Sequence, residues 1–182
     1  MAKLVSKTYG EALFELAVEK NKVDVFMEEI TRLKDVLAQN MDFGRFMNHP
    51  KILKEEKVEV LRNVLKGRIS DELTGFFTLI VTKDRYGEVD GILDYFLMEV
   101  KKYKGIGIAQ VTTATQLRED QKAKVEQRLL QTTSYRQMEM HYAVDESLIG
   151  GMVIRIGDRV VDSSIKTRLN ELTRQLMKLQ LS

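Results

Sequence analysis

Cysteine and tryptophan are absent from this chain of 182 residues, proline occurs once and histidine twice. Without cysteine there is no disulfide, no thiolate metal site and no thiol nucleophile, and a reducing compartment is permitted. His49 and His141 are the sole imidazoles, far apart in sequence and without a carboxylate at ligand spacing, so no metal site and no cofactor are expected. No apolar run approaches the roughly 20 residues of a membrane span. The opening Met-Ala-Lys-Leu-Val-Ser-Lys-Thr lacks the uninterrupted apolar core of a signal peptide, so the chain is expected to stay in the cytosol or to dock on something there. An excess of one charge is also missing. Lys and Arg number 29 against 27 Asp and Glu, a balance of +2 that generates no whole-protein field favouring nucleic acid or anionic lipid.

What is present is ordinary globular material, 43% apolar and 31% charged, written in two grammars. Residues 3 to about 104 read as helix after helix. Val23, Phe26, Met27, Ile30, Leu33 and Leu37 form one stripe of helical period, and Val89, Ile92, Leu93, Phe96, Val100 and Tyr103 form another. Pro50 suits the first turn of a helix running through Leu53, Val58, Leu61 and Leu65, with Gly67 at its end. Ser70-Asp71-Glu72 caps the next, and a short helix around Asp42 to Met47 completes six. After Lys104 the pattern changes to Gly105-Ile-Gly-Ile-Ala-Gln-Val-Thr-Thr, a β-branched run, and the domain boundary is placed there.

Beyond it a helix is expected from about Gln116 to Gln131 with Thr115 as cap, then a half-buried strand in which Met138, Met140, Tyr142 and Val144 alternate with polar residues. Met152, Ile154 and Ile156 form a further strand, Gly157-Asp158 a tight turn with positive φ, and Arg159 to Val161 the return strand. Asp162, Ser163 or Ser164 caps a closing helix with Ile165, Leu169, Leu172, Leu176 and Leu179 along one side. The expected class is therefore α plus α/β: a six-helix bundle over 1–104, then a small β-α-β-β-β-α domain over 105–182.

No catalytic constellation emerges. Gly105-Ile106-Gly107 lacks the third glycine of a dinucleotide loop, and Gly150-Gly151 is not followed by the lysine and hydroxyl of a phosphate loop. Asp145, Glu146, Asp158 and Asp162 are accounted for by turns and caps. Lys101, Lys102 and Lys104 suit a helix C-terminus, and they also support an alternative reading of the chain as a nucleic-acid-binding adaptor, which requires strongly salt-dependent affinity. An enzyme is not expected.

Two helices carry more apolar surface than one bundle face absorbs. In the fifth, Leu73, Phe76, Phe77, Leu79, Ile80 and Val81 cover an arc of roughly 200° at helical spacing. In the first, Val5, Tyr9, Ala12, Leu13 and Leu16 form one stripe, and Leu4, Phe14 and Val18 a second on the far side. Either both helices are central and wrapped by the other four, or together they form a groove for a partner's amphipathic helix. Under the groove reading, Phe76→Asp leaves the bundle folded and weakens docking.

Leu148-Ile149-Gly150-Gly151-Met152-Val153-Ile154, with Gly157-Asp158, Asp162, Ser164, Leu169 and Leu172, resembles the C-terminal signature of a known family. This is the delta subunit of bacterial F-type ATP synthase, similar to the mitochondrial oligomycin-sensitivity-conferring protein. Tyr9 with Ala12-Leu13, Phe46 through Pro50 with Ile52, and Phe76 to Arg85 extend the likeness over the full length. The chain departs from the usual pattern at Thr8, Gly10 and Gly75, where arginine, alanine and asparagine are common. Glycine at position 10 weakens a helix by about 0.5–1 kcal/mol relative to alanine.

The resemblance implies a non-catalytic stator subunit, in single copy, on the cytoplasmic face of the bacterial cell membrane, joining the catalytic head to the peripheral stalk and resisting rotor torque during proton-driven ATP synthesis. It implies that the bundle holds the N-terminal helix of an alpha subunit through Tyr9, Ala12, Leu13, Leu16, Phe76, Phe77, Leu79 and Ile80. It also implies that the small domain holds the C-terminal end of the b subunit, with Gly150, Gly151, Gly157, Asp158, Asp162 and Ser164 serving as turn and cap residues.

Overall fold

A computed structural model describes residues 2–170 of the chain. Its contacts divide into two units, 1–100 and 101–182. The first unit contains α1 (Ala2–Glu19), α2 (Val23–Gln39), α3 (Met41–Met47), α4 (Lys54–Leu65), α5 (Asp71–Thr82) and most of α6 (Val89–Lys104), which a 3-10 turn at Tyr86–Glu88 precedes. The second contains β1 (Ile106–Thr113), α7 (Glu119–Thr132), β2 (Gln137–Val144), a 3-10 turn at Glu146–Leu148, β3 (Met152–Ile156) and β4 (Arg159–Asp162), with residues 165–170 helical. A six-helix region followed by a β-α-β-β-β-α unit is the class that the residue patterns imply. Leu172, Leu176 and Leu179 of the expected closing helix lie outside the described residues.

In the bundle, Phe26, Phe77 and Phe96 are fully buried together with Leu13, Ile30, Leu61, Ile80 and Ile92. Each such side chain contributes about 1.5–3 kcal/mol by leaving water. The helix start at α5 is made by a long-range contact. Ser70 donates to Glu29 from both its backbone N (3.0 Å) and its Oγ (2.7 Å), so a carboxylate of α2 anchors the positive end of α5. The helix through Leu53 begins later than Pro50 implies. Lys51 N donates to His49 Nδ1 at 3.3 Å and Leu53 is extended, which holds 50–53 in a turn and starts α4 at Lys54.

Gly10 has a reason for its place in α1. A Cβ there would lie 2.7 Å from Tyr95 Cδ1, 2.9 Å from Tyr95 Cβ and 3.1 Å from the Ile92 carbonyl oxygen, and one at Gly91 would meet Ser6 Oγ at 2.6 Å. The missing side chains let α1 and α6 cross closely, and Tyr95 Oη donates to Glu11 Oε1 at 3.0 Å across the same crossing. The lower helix propensity of Gly10 is thus offset by packing that alanine would obstruct.

The second unit is a four-stranded sheet in the order β2-β1-β3-β4. β1 and β2 are parallel, and the other two pairs are antiparallel. The register places Ala109, Val111 and Thr113 on one face with Met138, Met140, Tyr142, Ile154 and Ile156. On the buried face α7 packs through Leu129, and its Lys122 carbonyl accepts from Tyr142 Oη at 3.4 Å. α7 starts at Glu119, later than the expected Gln116, because Gln121 Oε1 accepts from Arg118 N at 3.0 Å while the Thr115 carbonyl is taken by Thr113 Oγ1 at 2.7 Å. Only Gly157 of the β3–β4 turn has positive φ (56°), whereas Asp158 does not, which corrects the expectation of two such residues and matches a turn of type II′.

Gly10→Ala is expected to lower stability although it improves helix propensity. The steric cost of overpacking, about 1–3 kcal/mol, exceeds the propensity gain of at most about 1 kcal/mol. Urea unfolding of the two chains checks the sign; an alanine variant as stable as the parent would refute the close crossing.

Candidate protein-docking surface

The eight residues that resemblance assigns to the alpha subunit separate into two groups. Leu13, Phe76, Phe77 and Ile80 are interior, all within the bundle core, while Tyr9 and Leu16 are half-buried against it. Ala12 and Leu79 face solvent, Leu79 at 45% exposure. The wide apolar arc of α5 is therefore mostly core, because neighbouring helices close over Leu73, Phe76, Phe77, Ile80 and Val81. Phe76→Asp would consequently place a charge in the core and report on folding, the outcome that belongs to the reading in which α5 is a central helix rather than to the groove reading.

What α5 shows outward is Gly75 and Leu79 with Thr74, Thr78 and Thr82 alongside. Each threonine hydroxyl donates to the carbonyl four residues earlier, at 3.1, 2.8 and 2.8 Å. With their hydroxyls satisfied internally, these residues offer methyl groups to a neighbour. A Cβ on Gly75 would meet nothing within 4 Å, so nothing inside the unit requires glycine there. α1 repeats the design. Leu4 (69% exposed), Thr8 and Ala12 form its outward line, and Thr8 Oγ1 donates to the Leu4 carbonyl at 3.0 Å. Phe14 and Val18, expected on the far side, are half-buried, Phe14 against the core. The turn between α1 and α2 is tied to the start of α5 by Lys22 Nζ, 2.6 Å from Glu72 Oε1, and that hydrogen bond holds the Glu72 carboxyl below the usual carboxylate range. Periodicity missed this surface because small residues and threonines carry no hydrophobic signal.

In the second unit the Gly150-Gly151 segment lies against the start of the closing helix. Ile165 N donates to the Gly150 carbonyl at 2.9 Å and Ser163 N to the Met152 carbonyl at 3.0 Å. Gly151 has φ of +76°, and a Cβ there would sit 2.4 Å from the Ser163 carbonyl oxygen, so no other residue fits. Of the three candidate caps, Ser164 is the one, its Oγ accepting from Thr167 N at 3.2 Å. Asp162 braces it, accepting from Ser164 N (2.8 Å) and Thr167 Oγ1 (2.7 Å), bonds that hold its carboxyl low. Ile149, 66% exposed, is held at φ of +65°, a strained backbone for a β-branched residue. Val161, Ile165 and Leu169 are also exposed.

Among the described residues no group of three or more His, Asp or Glu side chains could hold a metal ion. His49 and His141 are both exposed, and His141 Nε2 pairs with Glu139 at 3.0 Å. Glu139 also holds Lys101 Nζ at 2.6 Å, so one lysine of the basic cluster is already engaged. Among the described residues no helix is long and apolar enough to cross a membrane.

A family model described as the ATP synthase delta (OSCP) subunit matches residues 5–176. The chain belongs to this family. It is 54% identical over 181 residues to "ATP synthase subunit delta" of Lachnoclostridium phytofermentans, covering 100% of both chains, and 34% identical to the protein of the same name from Desulforamulus reducens, covering 95% of each. Its fold is shared with a chain in the cryo-EM structure of the Toxoplasma gondii mitochondrial ATP synthase hexamer, at a TM-score of 0.74 and 22% identity over 94% of this chain and 97% of that one. The ATP synthase delta subunit is a non-catalytic component of its complex.

Two outcomes follow for this delta-family chain. Glu72 has a lowered folded-state pKa, so its contribution is complete above the ordinary value of 4.5 and is lost as pH falls through the lower folded value. Glu72→Gln is therefore expected to flatten the acid side of the stability profile, read from urea unfolding at a series of pH values. Ile149→Gly is expected to stabilise by about 1 kcal/mol through relief of the positive-φ strain. A lower unfolding midpoint would show that the Ile149 side chain holds the turn.

Proposed function

We propose that this chain is the stator subunit that fastens the catalytic head of an F-type ATP synthase to its peripheral stalk. In this reading, the unit formed by residues 1–100 seats the N-terminal helix of an alpha subunit on the outward faces of α1 and α5. The unit formed by residues 101–182 takes the C-terminal end of the b subunit, with the exposed Ile149 and Ile165 available for that contact. The whole sits peripherally at the cytoplasmic face of the membrane.

The observation that carries the docking face is Gly75. A glycine in a helix interior costs about 1 kcal/mol, and here the space outside it is open. A missing Cβ beside self-satisfied threonines lets a second helix approach closely, while Leu79 and Leu4 supply apolar anchors. The core residues Leu13, Phe77 and Ile80 support the face from beneath. Rotor torque is a sustained load, and slow dissociation of a well-packed helix contact is what resists it.

Calorimetric titration of the full chain with a peptide from the N-terminus of the cognate alpha subunit tests this. Saturable one-to-one binding with a negative heat-capacity change is expected. Leu79→Asp, at an exposed position, should keep the unfolding midpoint and lose about 30-fold or more in affinity. Unchanged affinity in that variant would place the contact elsewhere.

A further inference from the structure

Away from α1 and the outward face of α5, the first unit has a cleft of about 390 Å³ between α2, α3 and the start of α6. Its inner wall includes Tyr86, which is only 7% exposed. The ring stands edge-on to Phe43 with centroids 6.2 Å apart, and among the described residues its hydroxyl makes no hydrogen bond. No wholly buried side-chain oxygen or nitrogen among the described residues is left unpaired, so the accessible part of Tyr86, which lines the cleft, includes the hydroxyl. Most tyrosines buried to this extent spend the hydroxyl on the protein, and this one leaves it to water or a ligand. Burial first, and then the negative charge of Asp90, push its pKa up to about 12.

The remaining polar groups of the cleft are mostly acceptors. Among the described residues Asp90 has no cationic partner. Asp94 pairs with Lys34, whose ammonium is thereby engaged. Asn48 spends its amide nitrogen on the Gly44 carbonyl at 3.0 Å, which leaves Oδ1 as its free polar atom, and that oxygen stands 3.5 Å from where a Gly87 Cβ would be, at the wall of the cleft. Two carboxylates against one ammonium leave one negative charge uncompensated. Leu37, Ala38 and Val89 provide an apolar side. A donor-poor, acceptor-rich, net negative cleft with an apolar wall complements a donor-rich cation on a short alkyl stem.

We infer that the cleft formed by Tyr86, Asn48, Asp90 and Asp94 is a binding site for an alkyl guanidinium or primary ammonium group. The cation lies between Asp90 and the Tyr86 hydroxyl, its N–H groups donating to the carboxylate, the phenol oxygen and Asn48 Oδ1. The stem rests on Leu37, Ala38 and Val89. The cation is either the side chain of a basic residue in another protein or a free amine, and the chemistry that recognises it is common to both. The site shares no residue with the docking face of α1 and α5, so either reading can fail without the other.

The test is a titration of the ¹⁵N-labelled full chain, following the amide signals of Gly44, Asn48 and Gly87. One arm uses N-acetylarginine amide, which presents the side chain as a protein would, and the other uses 1,4-diaminobutane as a free amine. Saturable one-to-one shifts at these amides are expected in at least one arm, and the tighter arm identifies the source. Asp90→Asn, at an exposed position, should weaken binding about tenfold or more, since the lost contact is a hydrogen bond to a charged group. Gly44→Leu should block it without loss of stability, because the space beyond Gly44 is empty. Tyr86→Phe should weaken it several-fold. Non-saturating shifts in both arms, or equal affinity in Asp90→Asn and the parent, would overturn the assignment.

Discussion

The burial of α5 governs what the first unit can do. Five of its twelve residues, Leu73, Phe76, Phe77, Ile80 and Val81, enter the common core, and Phe77 stands there with Phe26 and Phe96. Removing one such ring from a packed interior typically costs about 3–5 kcal/mol, so these positions are not free to serve a partner. The remaining side of the helix, where Gly75, Leu79 and three threonines lie, is what the first unit can offer to the proposed partner. The threonines matter because their hydroxyls are already bonded within the helix. A partner meeting them has no polar group to satisfy and no water-bound hydroxyl to strip.

The same core sets the position of α1. Gly10 and Gly91 allow the backbones of α1 and α6 to approach, and this turns Leu13 and Ala17 inward while Leu4, Thr8 and Ala12 remain outside. The ion pair between Lys22 and Glu72 then ties the turn between α1 and α2 to the first turn of α5. An exposed pair of this kind adds little stability, on the order of 0–1 kcal/mol. Its consequence is geometric, because it relates that turn to the start of α5.

In the second unit the comparable constraint is the contact between Gly151 and the Ser163 carbonyl. That contact lets residues 163–165 continue the antiparallel pairing of β3 with β4 and deliver Ser164 to the helix start. Glycine is demanded there by space and by φ together. The strained Ile149 sits two residues earlier, exposed, in a unit that leaves Val161, Ile165 and Leu169 at its surface. A unit of this size has little core in which to bury them.

Much of the architecture was legible in the residues. Stripes such as Phe26, Ile30, Leu33 mark a helix because only one side of it meets the core, and Met152, Ile154, Ile156 mark a strand because alternate side chains share a face. Glycine beside aspartate after β3 announces its turn, since few residues take positive φ. Helix starts were less legible at Lys54 and Glu119, where hydrogen bonds accepted by the side chains of His49 and Gln121 decide the boundary. The sequence by itself therefore determined the elements, their order and the family, because periodicity and turn chemistry are local. Only the tertiary structure decided which apolar residues of α1 and α5 remain outside, why Gly10 is needed, and that Tyr86 opens into a cleft with Asn48, Asp90 and Asp94. Those properties depend on which helices close over which faces, and burial is a relation between residues distant in the chain.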